Sequence, residues 1–148
     1  MNNKIIKTTK IILDFLFFAG IFTTITVPFS FKIYGAYDSY FLRFYIPLCI
    51  LFMVSGTFAV LIIGELRKVF QTVLNDDSFV PENTVSLRKM GSYSFFISAF
   101  TAIRLLLYIT PAVLIVILVF MIAGLFSKVL SLVFDKAITY KLENDLTI

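Results

Sequence analysis

Residues 112–126 read Ala-Val-Leu-Ile-Val-Ile-Leu-Val-Phe-Met-Ile-Ala-Gly-Leu-Phe, a run without a single charged or strongly polar side chain. A helix built from it is apolar all round, which suits the heart of a large protein or a membrane span. The apolar character continues to Phe134, enough helix to cross about 30 Å of hydrocarbon at about 1.5 Å per residue. A chain of 148 residues offers too little protein to surround such a helix. Three more apolar runs lie upstream, at residues 11–31, 45–64 and 91–109. The whole chain is 59% hydrophobic and 15% charged, against roughly half and a quarter in soluble domains. These features predict an all-α integral membrane protein, a single membrane domain over residues 1–148. Its four transmembrane helices fall at about 11–31, 45–64, 91–109 and 112–134.

The first run follows Lys4, Lys7 and Lys10, as in a secretory signal. No small-x-small cleavage site follows it, and Asp14 interrupts its start, so a retained helix is expected. Orientation comes from basic residues. Lys4, Lys7, Lys10, Arg67, Lys68, Arg88, Lys89, Lys128, Lys136 and Lys141 fall on one side of an even number of spans. Lys32, Arg43 and Arg104 fall on the other. Ten against three predicts that both termini are cytoplasmic. Tyr34, Tyr37, Tyr40, Tyr45 and Tyr108 gather at the opposite boundary, where amphipathic rings favour the interface.

Thr110-Pro111 reads as a helix cap followed by proline at the first helical position, so the third and fourth spans form a hairpin with a tight turn. Pro28 is expected to bend or end the first span, and Pro47 to mark the start of the second. Beyond Gly64, residues Leu66, Val69, Phe70, Val73 and Leu74 recur at helical spacing, so the second helix should continue inward. Asn75-Asp76-Asp77-Ser78 breaks it, and Pro81 with Glu82 starts the next. Leu130, Val133, Phe134, Ala137 and Ile138 form a similar stripe after the fourth span. Helices two, three and four thus extend into a small cytoplasmic cap, with residues 65–90 as extensions and loop and 135–148 as tail.

The chain has no His and one Cys, Cys49. That excludes an intramolecular disulfide and a His- or thiolate-based metal site of ordinary ligand number. No nucleophile–base pair, phosphate-cradling glycine loop or paired acidic site is visible, so neither enzyme chemistry nor a cofactor is expected. The Asp76-Asp77 pair reads as turn chemistry.

The intramembrane polar candidates are Asp14 and Arg104. Asp14 is placed to pair with Lys10 one turn back. Arg104 sits roughly 22 Å beyond Lys89 along a helix, in the opposite leaflet from Asp14. It is placed either to snorkel to the headgroups beside Tyr108 or to act as a ligand or helix-pairing residue in an outward cavity. Ser94, Ser98 and Ala102 recur every fourth residue and make a close-packing face, internal or dimeric. The basic rim suits topology and anionic lipid. It lacks a reading element, so direct nucleic-acid binding is not expected.

Two segments carry a family resemblance. One combines Leu66-Arg67-Lys68-Val69, Asp77-Ser78-Phe79-Val80-Pro81-Glu82-Asn83 and Leu87-Arg88-Lys89-Met90-Gly91. The other is the terminal Leu142-Glu143-Asn144-Asp145-Leu146-Thr147-Ile148. Together they resemble the small bacterial membrane proteins of domain of unknown function 2975, over most of the chain. Val80 departs from the pattern, standing where Thr or Ser would cap the third helix.

The resemblance implies four spans in a bacterial cytoplasmic (inner) membrane and no established activity. It also implies a gene neighbourhood that often includes a small helix-turn-helix regulator. The resulting expectation is a regulatory or sensor protein that docks a small cytoplasmic transcriptional regulator. Its docking residues would be Phe79, Glu82, Asn83, Glu143, Asn144 and Asp145, with the tail packed on residues 79–83 or held by the partner. The alternatives are a small transporter, pore or immunity protein, with Arg104, Thr23, Thr24 and Thr26 along a polar path, and a structural subunit or homo-oligomer using the Ser94 face.

Overall fold

The computed structural model describes residues 3–106 and 109–146. Four long helices carry the fold: α1 (Asn3–Gly35), α3 (Tyr45–Leu74), α4 (Pro81–Arg104) and α5 (Pro111–Leu146), with a short α2 (Ser39–Arg43) after α1. Among the described residues, α1, α3 and α5 are each long and apolar enough to cross a membrane. Their lipid-type surface is plain in side chains such as Phe15, Phe22, Leu118 and Phe126, all exposed. α4 is more mixed. Its first turns, Pro81–Met90, are polar, and the apolar part from Gly91 to Arg104 covers roughly 21 Å. The expected third span to residue 109 is therefore shortened, since α4 ends at Arg104 and α5 begins at Pro111.

Neighbouring helices run antiparallel. From α1 to α3, Phe31 meets Phe52, Gly20 faces Val60, and Asp14 meets Arg67, so one index rises as the other falls. From α3 to α4, Phe58 stacks on Phe96 and Phe100, while Thr72 meets Asn83. From α4 to α5, Ser98 Oγ donates to the Ile117 carbonyl at 3.1 Å, and Lys128 reaches Ser92 and the Arg88 carbonyl. Each helix packs on its predecessor in the order α1–α3–α4–α5, and α1 and α5 do not close the ring by packing on each other. One end holds the starts of α1, the α3–α4 turn and the end of α5, and is called here the termini end. The other, the loop end, holds α2 and the α4–α5 connection.

Small residues set the closest approaches. A Cβ on Gly56 would lie 2.6 Å from Thr24 Oγ1, and one on Gly124 would lie 2.8 Å from the Phe95 ring. Ser94 and Ser98 are buried on the side of α4 that faces α5, so the small-residue face is spent on internal packing.

Three local features of the helices have a physical reason. Pro28 does not end α1, which continues to Gly35. The lost N–H is tolerated because α1 packs along α3 on both sides of it, and Tyr45 Oη donates to the Pro28 carbonyl at 2.9 Å. On α5 the buried residues are Val113, Gly124, Ser131 and Ile138, with Phe134 half-buried, while Leu130 and Val133 are exposed. The packed stripe is thus one step round from the apolar one, because α5 meets α4 alone and shows its other faces outward. Third, Val80 begins α4 without a side-chain cap. Its extended backbone, followed by Pro81, starts the helix instead.

Candidate functional site: an apolar cavity with one arginine

The four helices enclose a cavity of about 380 Å³ toward the loop end. Each helix contributes: Thr24 from α1, Phe52 and Ser55 from α3, Thr101 and Arg104 from α4, and Val113, Val116 and Phe120 from α5. The size lies within the range of about 300–1,000 Å³ usual for small-molecule sites. No described residue of the termini half of the molecule, such as Asp14, Arg67 or Lys128, lines it. The cavity lies in one half of the bundle.

Arg104 is its only charged lining residue among those described. As the last residue of α4, it sits where the helix dipole favours a cation. Its side chain turns inward. The guanidinium carbon lies 4.9 Å from the centre of the Phe52 ring, a cation–π distance. Nε is buried and has no hydrogen-bond partner. Arg104 thus packs on α3 at the cavity wall; Tyr108 lies outside the described residues. The lining hydroxyls offer no anion. Thr24 donates to the Gly20 carbonyl and Thr101 to the Ile97 carbonyl, each at 2.7–2.8 Å, so their protons are already used within their own helices. Thr23 also lines the cavity, but Thr26 does not; its hydroxyl bonds the Thr23 carbonyl. The proposed path of Arg104, Thr23, Thr24 and Thr26 is thereby reduced to its first three members.

Asp14 and Arg104 are kept apart, as their sequence positions require. Asp14 faces Arg67 and Arg104 faces Phe52, levels separated along α3 by roughly 22 Å. Asp14 holds the expected partner Lys10 at 3.0 Å and a second one that sequence reasoning missed, Arg67 Nε at 2.6 Å. Arg67 also lies over the Phe17 ring at 4.4 Å. Nothing in a list of basic residues singles out Arg67. Its signal is register, visible only once α1 and α3 are known to be antiparallel.

The termini end carries a built turn. α3 continues to Leu74, and the chain reverses through Asp76, which has a positive φ of 56°. Asn83 then fixes the loop. Its amide Nδ2 donates to Thr72 Oγ1 at 2.7 Å and to the Ser78 carbonyl at 2.6 Å. At 1% exposed, Asn83 is unavailable to a partner. Its candidacy as a docking residue is corrected to that of a buried strut. Phe79 and Glu82 remain exposed beside it. Phe79 rests on Phe134 of α5 at a centroid distance of 5.4 Å, and Lys141 pairs with Asp77 at 3.4 Å. The loop therefore packs on α5 at Phe134 and pairs with Lys141. Glu143, Asn144 and Asp145 form the exposed last turn of α5, past the Lys141 contact; Thr147 and Ile148 lie outside the described residues.

With this geometry established, comparison with known proteins gives one match. The family described as a protein of unknown function (DUF2975) covers residues 21–148. The chain belongs to that family. No curated protein and no solved structure matches it. The matched region takes in the cavity, the Asn83 turn and the end of α5, and leaves out Asp14 and Lys10.

Proposed function

We propose that this DUF2975 protein is a regulatory sensor of the bacterial cytoplasmic membrane rather than a conduit. It crosses four times with both termini in the cytoplasm. It receives a signal in the cavity at its outer half and presents the termini end to a soluble partner, a small helix-turn-helix regulator being the expected class. The observation that carries the reading is that the cavity is confined to one half of the bundle. Its lining ends within the loop-end half, while the opposite end is occupied by the Asp14–Arg67 pair and the Asn83 turn. A cavity confined to one half of the bundle suits occupancy better than passage. The docking part rests on a rigid loop that keeps a large aromatic, Phe79, and a carboxylate, Glu82, on the surface, next to the acidic last turn of α5. Buried aromatic anchors with a polar rim are the usual make-up of a binding hot spot.

The test is site-specific photocrosslinking in living cells. A photoreactive residue at Phe79 or Asp145 should capture a small soluble DNA-binding protein, whereas one at the lipid-facing Phe96 should not. Capture at none of these positions, or equal capture at all three, contradicts the docking surface. A second reading, a small transporter caught closed, is favoured by the inward turn of Arg104 alone. Solute flux into reconstituted vesicles that falls on Arg104→Gln would support it.

A further inference from the structure

The opening of the cavity and the state of Arg104 together specify a ligand class. Thr24 against Gly56 draws α1 onto α3, and the Ser98–Ile117 bond draws α4 onto α5. α1 and α5 both line the cavity but do not pack on each other. The gap between these two helices, whose outer faces are apolar, gives the cavity a side toward hydrocarbon. A solute arriving this way comes from the membrane. Deep in the cavity are Ala59, Ile97 and Phe120, which suit a chain. At its loop end is a guanidinium with a buried, unpartnered Nε and no acidic partner among the described residues. A buried donor left unmade is costly, and a charge in low dielectric more so. An incoming anion removes both deficits.

We propose that the cavity binds a single-chain amphiphile with an anionic head. The head pairs with Arg104 and the chain runs between α1 and α5 toward Phe120. A diacyl phospholipid is several times too large for about 380 Å³, so only a free acid or a comparable single-chain anion fits whole. Phe52 holds the guanidinium in place through its ring face, leaving the N–H edge for the head. This inference names the ligand of the proposed sensor, but it depends on the cavity alone. It stands whether or not a cytoplasmic partner exists.

The experiment is native mass spectrometry and equilibrium binding on the purified, delipidated full chain. Dodecanoate, dodecanol, a diacyl phosphatidylglycerol and inorganic phosphate serve as probes. Dodecanoate should bind one per chain. Dodecanol, the same chain without the charge, should bind about 10–100-fold more weakly, the range expected for losing charge-assisted hydrogen bonds. Arg104→Gln should lower dodecanoate affinity by a similar factor and leave dodecanol unchanged. Thermal melting should show Arg104→Gln still folded, so that its weaker binding reads the missing charge. If that variant fails to fold, Ala59→Leu provides the second arm, filling the chain site while keeping Arg104, and should abolish dodecanoate binding. Equal binding of dodecanoate and dodecanol, or undiminished binding by both variants, overturns the proposal. So does an Arg104-dependent site that takes phosphatidylglycerol or free phosphate in preference to dodecanoate. Loss of a cytoplasmic partner with binding intact would sink only the docking reading.

Discussion

At the residue scale, three polar side chains illustrate how burial decides the role of a group. Asn83 is the simplest. Its amide serves both Thr72 Oγ1 and the Ser78 carbonyl in a dry turn. Asn83→Ala strands those acceptors and should cost about 1–3 kcal/mol, read as a lowered melting temperature and faster proteolysis between residues 75 and 80. An unchanged melt would contradict the strut role. Asp14 is half-exposed and bridges Lys10 and Arg67, so water screens much of its attraction. A double-mutant cycle of Asp14→Asn with Arg67→Gln should therefore show coupling of about 1 kcal/mol or less. Lys10 was legible from its i,i+4 spacing. Arg67, 53 residues away, was not, because only the pairing of helices brings it near. Arg104 stood out in sequence as a charge in an apolar run. Its inward turn depends on Phe52 of α3, which no local pattern reveals.

At the scale of elements, most of the helices follow from periodicity and punctuation. The continuation of α3 through Val69 to Leu74, the break at residues 75–78, the restart at Pro81 and the cap at Thr110 all appear as read. The last is seen in the Val113 N–H donating to Thr110 Oγ1 at 3.3 Å. What hydropathy could not supply is which face of each helix meets a neighbour. In α5 almost every face is apolar, so the contact stripe is marked by small residues, Gly124 and Ser131, rather than by large ones. The same logic yields a sharp test at the α1–α3 contact. Gly56→Ala would ordinarily favour the helix by about 1 kcal/mol. Here the new methyl meets Thr24 Oγ1 at 2.6 Å and Cγ2 at 3.2 Å. Net destabilisation of about 1–3 kcal/mol is expected from the overpacking. Thr24→Ala should largely restore stability, since the atoms in the way are then gone. Failure of the second change to rescue the first would remove close helix approach as the reason for the glycine.

At the scale of the whole molecule, antiparallel packing in sequence order leaves α1 and α5 apart, although both line the cavity, and the proposed entry from the membrane rests on that gap. Neither the cavity nor the gap was legible in the sequence, which specifies spans and their order but not whether a ring of four closes. The proposed orientation is testable directly. In a Cys49→Ala background, an impermeant thiol reagent added to intact cells should label Tyr37→Cys and spare Glu82→Cys; the reverse pattern would invert the topology. The central claim, that the termini end holds a soluble regulator, is tested most directly by affinity capture from native membranes. The intact chain is compared with a chain truncated after Leu142 and with Phe79→Ser. The account predicts that a small DNA-binding protein co-purifies with the intact chain and is lost from both variants while their melting temperatures stay unchanged. Recovery of no such protein, or its equal recovery with all three chains, would contradict it.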